Sequence, residues 1–160
     1  MAELDISRRV LGNIDGGSNF ATYAFPVANG VTVTQGDFVY FSGGFITNAT
    51  INQARPIGIC VDTETGNAAG TVTSLVAIDD DLKYLLRTDG SGTFNATSVG
   101  KYFGLTGTTG NQKVLGTSSA STTGALICLE YNPQIDPVKT DTTYGVFMLV
   151  NSALDPYVAG

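Results

Sequence analysis

The clearest pattern in the chain runs over residues 24–64, AFPVANGVTVTQGDFVYFSGGFITNATINQARPIGICVDTE, where short apolar runs are separated by glycine. Val31 and Val33 alternate with Thr32 and Thr34, the period-two signature of a strand, entered through the turn pair Asn29-Gly30. Phe38-Val39-Tyr40-Phe41 is apolar on both faces, which predicts a sheet covered on both sides or a contact between subunits. Gly43-Gly44 turns the chain. After Arg55-Pro56, Ile57, Ile59 and Val61 are expected to face one way, and Gly58 and Cys60 the other.

The rest of the chain repeats this grammar. Residues 71–89 carry no Gly or Pro, and Leu75, Ile78, Leu82 and Leu85 fall at helical spacing. Asp79-Asp80-Asp81 in the middle and β-rich flanks favour strand, acidic turn, strand, over 74–78 and 83–87. Residues 99–105 read as a bent strand, because glycines 100 and 104 admit a bulge. Residues 106–124 read as a low-charge hairpin or exposed loop around Val114-Leu115, and 125–131 and 144–150 as strong strands. Roughly eight to ten strands with turns every 8–12 residues predict an all-β fold, a single β-barrel or β-sandwich.

Both ends differ from the middle. In residues 1–23, Leu4, Ile6, Val10, Leu11 and Ile14 are scattered among charges, and Gly16-Gly17-Ser18-Asn19 breaks the pattern. This segment is either a first strand, a loose terminus, or an extended arm that orders on a partner. We divide the chain into an N-terminal arm, 1–23, a β-rich domain, 24–150, and a C-terminal tail, 151–160.

Composition narrows the function more than the fold. A chain of 160 residues with 42% hydrophobic and 14% charged residues fits one domain that needs no metal or disulfide staple. A net charge of −6 with only eight Lys and Arg argues against nucleic acid as a partner. No run approaches the ~20 apolar residues of a membrane helix, and MAELDISRRV is unlike a secretory leader. The expectation is a chain made in a cytosol. Cys60 and Cys128 lie in apolar runs and read as small core residues.

Candidate chemistry is sparse. With no histidine, Ser-His-Asp and Cys-His arrangements are impossible, so Gly90-Ser91-Gly92 reads as a turn, and nothing favours a Ser-Lys pair. Asp62 and Glu64, at i and i+2, would share a strand face about 7 Å apart, a separation that glycosidase carboxylates approach. A solvated strand end is the simpler reading. Asp79-Asp80-Asp81 lacks the spacing of a calcium loop. Asn48-Ala49-Thr50 and Asn95-Ala96-Thr97 match the glycosylation sequon, which matters only on a secretory route. The sequence therefore predicts no enzyme, no cofactor and no metal. What does stand out is the concentration of Phe20, Tyr23, Phe25, Phe38, Tyr40, Phe41 and Phe45 in one quarter of the chain: each taken singly reads as core, and their collective excess points to part of the surface being buried by other copies.

The order Ala28-Asn29-Gly30-Val31, Gly36-Asp37-Phe38-Val39-Tyr40, Pro56-Ile57-Gly58-Ile59-Cys60-Val61-Asp62, Val99-Gly100-Lys101-Tyr102-Phe103 and Gly124-Ala125-Leu126-Ile127-Cys128-Leu129-Glu130 resembles that of tailed-bacteriophage capsid decoration (cement) proteins. The likeness covers residues 24–133 and rests on spacing and order. It implies a homotrimer on the outer surface of the virion head, bound to the major capsid protein and stabilising the expanded shell, with assembly in the host cytoplasm. It carries over no catalytic residue. Contact with the shell or between subunits is assigned to Leu4, Ile6, Arg8, Arg9, Phe38 and Tyr40, and the outer surface to 106–124. The alternatives are another phage surface component (head fibre base, tail component or host-binding adhesin) and, further off, a carbohydrate-binding module or small glycosidase using Asp62 and Glu64.

Overall fold

The computed structural model describes residues 8–13, 21–49, 56–78, 82–92, 94–107, 109–119, 124–131 and 144–150. They form an all-β fold whose only helical element is one 3-10 turn, Ala96–Ser98. The strands are β1 (Arg8–Asn13), β2 (Thr22–Pro26), β3 (Thr32–Val33), β4 (Phe38–Ser42), β5 (Phe45–Asn48), β6 (Gly58–Cys60), β7 (Glu64–Thr65), β8 (Thr73–Ala77), β9 (Leu82–Arg87), β10 (Tyr102–Phe103), β11 (Leu105–Thr106), β12 (Lys113–Val114), β13 (Leu126–Tyr131) and β14 (Tyr144–Leu149). Fourteen exceeds the expected eight to ten because five of them are two-residue ladders, too short for a period-two pattern to register.

One five-stranded sheet has the order β1-β9-β14-β13-β10, the other β2-β8-β6-β4-β5, with two-stranded ribbons β11-β12 and β3-β7 beside them. All strand pairs are antiparallel. The sheets do not close into a barrel, which removes one of the two expected architectures and leaves a sandwich-like arrangement. The second sheet curls until its edges touch at a single bridge, Val27 to Ile46, where the Ala28 amide donates to the Ile46 carbonyl at 3.0 Å. β8 and β9 both form where strands were expected over 71–89, but in different sheets, and Asp79-Asp80-Asp81 lies outside the described residues.

The two sheets enclose the larger core: Phe38, Ile59 and Ala77 from the second sheet meet Leu82, Tyr84, Leu86, Leu126, Cys128, Phe147 and Leu149 from the first. A second core fills the opposite, concave face of the second sheet, with Val39, Ile46, Cys60 and Val76 against Val27, Val33 and Ile57. Neighbouring residues therefore serve different cores, Phe38 one and Val39 the other. This accounts for the two-sided apolar run in β4. Ile59 and Val61 pack on the first core as expected, but Ile57 joins Cys60 in the second. The regular strand starts only at Gly58, where an added Cβ would overlap the Ala77 carbonyl.

Segment 106–124 was expected to be exposed, and its centre is not. Gln112 is 2% exposed and Val114 fully buried. Ala49 donates to the Phe38 carbonyl at 3.0 Å, yet the Phe38 amide does not reach back across the ladder. The Gln112 side chain fills that place: its Oε1 accepts from the Phe38 amide at 2.7 Å, and its Nε2 donates to the carbonyls of Phe38 and Ala49, both at 3.0 Å. The buried Asp37 carboxylate accepts from the Gly110 amide at 2.6 Å, clasping the same loop. Gln112→Ala strips partners from buried backbone groups that water does not reach, and it should lower unfolding free energy by about 3 kcal/mol. Lys113→Ala beside it should cost under about 0.5 kcal/mol. Urea denaturation compares them; equal midpoints for the two variants would refute the clasp.

Candidate functional site

The described residues place their most exposed aromatic cluster at the open end of the second sheet. Tyr23 and Phe25, two apart on β2, share one face and lie opposite Val76 and Ser74 of β8. Phe41 comes from the last turn-ward part of β4, opposite Ile46. The ring centroids of Tyr23 and Phe25 are 4.9 Å apart with planes tilted by 45°, and those of Phe25 and Phe41 are 5.2 Å apart, edge to face at 77°. Phe25 seats the cluster on the second core, while Tyr23 is 59% and Phe41 38% exposed. Each ring pair contributes about 0.5–1.5 kcal/mol beyond burial, so the exposed rings are held in place. On the opposite face of the same strands, Leu75, paired with Ala24, is 41% exposed.

The sequence pointed to this quarter of the chain but chose other side chains within it. Phe38 is fully buried against Tyr84, centroids 5.1 Å apart, so it belongs to the subunit's own core and not to its surface. Tyr40 is half-buried against the same core. The outward ring of β4 is Phe41. The cue is its place, one residue before Ser42-Gly43-Gly44, where the strand leaves the cover of both cores. Leu4 and Ile6 lie outside the described residues. Arg8 and Arg9 stand on β1, at register positions opposite Leu86 and Leu85. Part of the segment read as an arm is therefore a first strand.

The possible chemical groups serve the scaffold. β6 ends at Cys60, the chain bends at Val61 and Asp62, and Glu64 begins β7 opposite Val33, so the two carboxylates do not share a strand. Asp62 accepts from the Ser74 hydroxyl and, at 3.1 Å, from the Leu75 amide. Asp89 accepts from the Ser91 amide and hydroxyl at 2.9 and 2.7 Å and from the Gly116 amide at 2.9 Å. Partial burial opposes its ionisation, but these hydrogen bonds prevail and hold its pKa below 3.8. Asn95 caps the 3-10 turn, its Oδ1 accepting from the Thr97 amide and hydroxyl at 2.8 and 2.7 Å. Asn48 of the other sequon donates to the Thr32 carbonyl at 2.9 Å.

No family model, no curated protein and no solved structure matches this chain.

The two thiols give a direct test of these surroundings. Burial pushes Cys60 up to about 11, with the Ser74 hydroxyl opposing and Asp62 adding to the rise. Burial likewise pushes Cys128 up to about 11, with a backbone hydrogen bond at Glu130 opposing and the Glu130 charge adding to the rise. At pH 8 neither should react with a thiol reagent until the protein is unfolded, because the thiolate is the nucleophile. The folded state holds these protons more tightly than the unfolded chain. Stability is therefore at its full value below pH 9 and falls as pH rises from 9 to 11. Stoichiometric labelling of the native protein at pH 8 would contradict both statements.

Proposed function

We propose that the protein is a capsid decoration protein: a homotrimer that attaches to the outer surface of an expanded bacteriophage head, contacts its major capsid protein, and stabilises the shell without catalysis. The observation that carries the reading is the exposed, mutually packed cluster of Tyr23, Phe25 and Phe41. Aromatic side chains of this kind are the residues that interfaces bury at their centres. A solvent-facing Tyr23 resting on Phe25 offers apolar area at little entropic cost, because its orientation is already set. The segment order that resembles decoration proteins supports the same reading. So does the engagement of Asp62 and Asp89 with hydroxyls and backbone amides, which leaves them structural work in place of chemistry.

The patch is modest, and a modest patch suits this role. A contact repeated across a trimer is multiplied by effective concentration, so weak single attachments sum to tight binding. Tyr23→Ser and Phe41→Ser together should weaken co-sedimentation with expanded capsids by about tenfold to a hundredfold, equivalent to about 1.4–2.7 kcal/mol. The double variant also loses both ring pairs, about 1–3 kcal/mol, so its thermal midpoint should fall by several degrees, and binding is compared at a temperature where both proteins remain folded. A wild-type protein that never pellets with expanded capsids overturns the proposal. A double variant that pellets as wild type removes the patch from it.

A further inference from the structure

We propose that residues 151–160 fold back over the outer face of the first sheet, an intrachain contact that stands apart from the decoration reading above. Leu82, Tyr84 and Leu86 of β9, with Phe147 and Leu149 of β14, point into the core between the sheets. Alternation therefore turns Leu85 of β9, its ladder partner Val146 and the neighbouring Tyr144 to the outside. Among the described residues, neither core includes these three. Yet Leu85 is 0%, Val146 5% and Tyr144 8% exposed. Neighbours within a sheet shield the base of an outward side chain and leave its tip in water. Complete burial of Leu85 calls for chain laid across it, and the second sheet packs on the opposite side.

The place of β14 selects the segment that follows it. β14 is the middle strand of its sheet, between β9 and β13. The Val150 amide still donates to the Ala125 carbonyl at 2.9 Å, so the chain leaves this sheet at its centre and not at an edge. The inner face there is filled by Leu82, Leu126 and Leu149. Residues 151–160, NSALDPYVAG, reach up to roughly 33 Å. The outer face from Met148 back to Tyr144 spans only about 14 Å. Leu154, Tyr157 and Val158 match the apolar strip of Leu85, Val146 and Met148. Cations border that strip: Lys83 and Arg87 flank Leu85 on β9, and Arg9 stands opposite it on β1. Asp155, beside Leu154, complements them. Residues 1–7 precede the edge strand β1, and 132–143 join β13 to β14 at the Tyr144 end, so neither starts above Met148.

Val146→Cys puts a thiol of similar size under the proposed cover. With the rest of the chain native, that thiol should resist a thiol reagent at pH 8. With Leu154→Ser and Tyr157→Ser added, its labelling rate should rise about tenfold or more, as the cover opens without global unfolding. Cys60 and Cys128, each buried in one of the two cores, should stay unlabelled in both proteins and so report that the fold persists. A second measurement leaves the tail almost unchanged: benzoylphenylalanine in place of Tyr157 should photo-cross-link within its own chain to peptides of β9 or β14. An introduced thiol that reacts while the tail is native shows an open face and overturns the proposal. One that stays protected in the tail variant assigns the cover to another segment and overturns it as well. Cross-links confined to other peptides, cross-links joining two chains, or none at all do the same. If labelling of Cys60 and Cys128 shows the tail variant to be unfolded, the cross-link map decides.

Discussion

The second sheet must satisfy hydrocarbon on both of its faces while keeping a continuous hydrogen-bond ladder, and that requirement organises the molecule. β4 sends Phe38 into one core and Val39 into the other, so neither of these two residues faces water. A strand buried on both faces leaves every backbone group dependent on a protein partner. The β4–β5 ladder cannot supply one at Phe38, and the Gln112 amide, arriving from 74 residues away, does. Its carbonyl and its amino group occupy the gap as a backbone amide would. The hairpin of β11 and β12 is thereby tied to the second sheet, and the loop before Gln112 is pinned by Asp37. The seating of the β11–β12 hairpin on the second sheet thus depends on a polar group that hydrophobic patterning does not reveal.

The carboxylates follow the same logic. Asp37 accepts from Gly110, Asp62 from Leu75, and Asp89 from Ser91 and Gly116. Each joins its own segment to the backbone of another segment or turn. An ionised carboxylate accepts backbone hydrogen bonds more strongly than a neutral group, and a chain of many short strands has many loop amides that need an acceptor. Part of the acidity that excludes nucleic acid in the sequence is therefore spent inside the fold. The Asp62–Glu64 pair lost its chemical meaning for this reason: one carboxylate is committed to β8 and the other leaves on a different ladder.

Where a segment obeys one clear period, its structure was legible in advance. Leu126–Tyr131, Tyr144–Leu149, Phe38–Ser42 and both strands flanking the acidic triplet form where apolar runs bounded by turn signals place them. The two-residue ladders are set by partners far along the chain, as Thr32 and Val33 are by Thr65 and Glu64, so local pattern is silent about them. Face assignment failed at Ile57, because parity counts only within a regular strand and Gly58 starts a new one. The exposed cluster was legible as a concentration of rings, but not ring by ring. Phe38 and Phe41 have the same side chain, and only the ends of the two cores decide which is covered.

That last distinction bears on how an apolar surface persists on a well-packed subunit. Phe25 anchors on the second core, and Phe41 and Tyr23 lean on it in turn, so the outer rings are extensions of the core and not stray hydrophobes. Rotating Tyr23 inward would require displacing Phe25, for which the closely packed concave face has no room. The exposure is built in at the strand ends, where the sheet curls and its edges meet only at Val27 and Ile46. The mutual packing of Tyr23, Phe25 and Phe41 sets the orientation of this aromatic rim in the free subunit, so its rings need no further ordering to present an apolar surface.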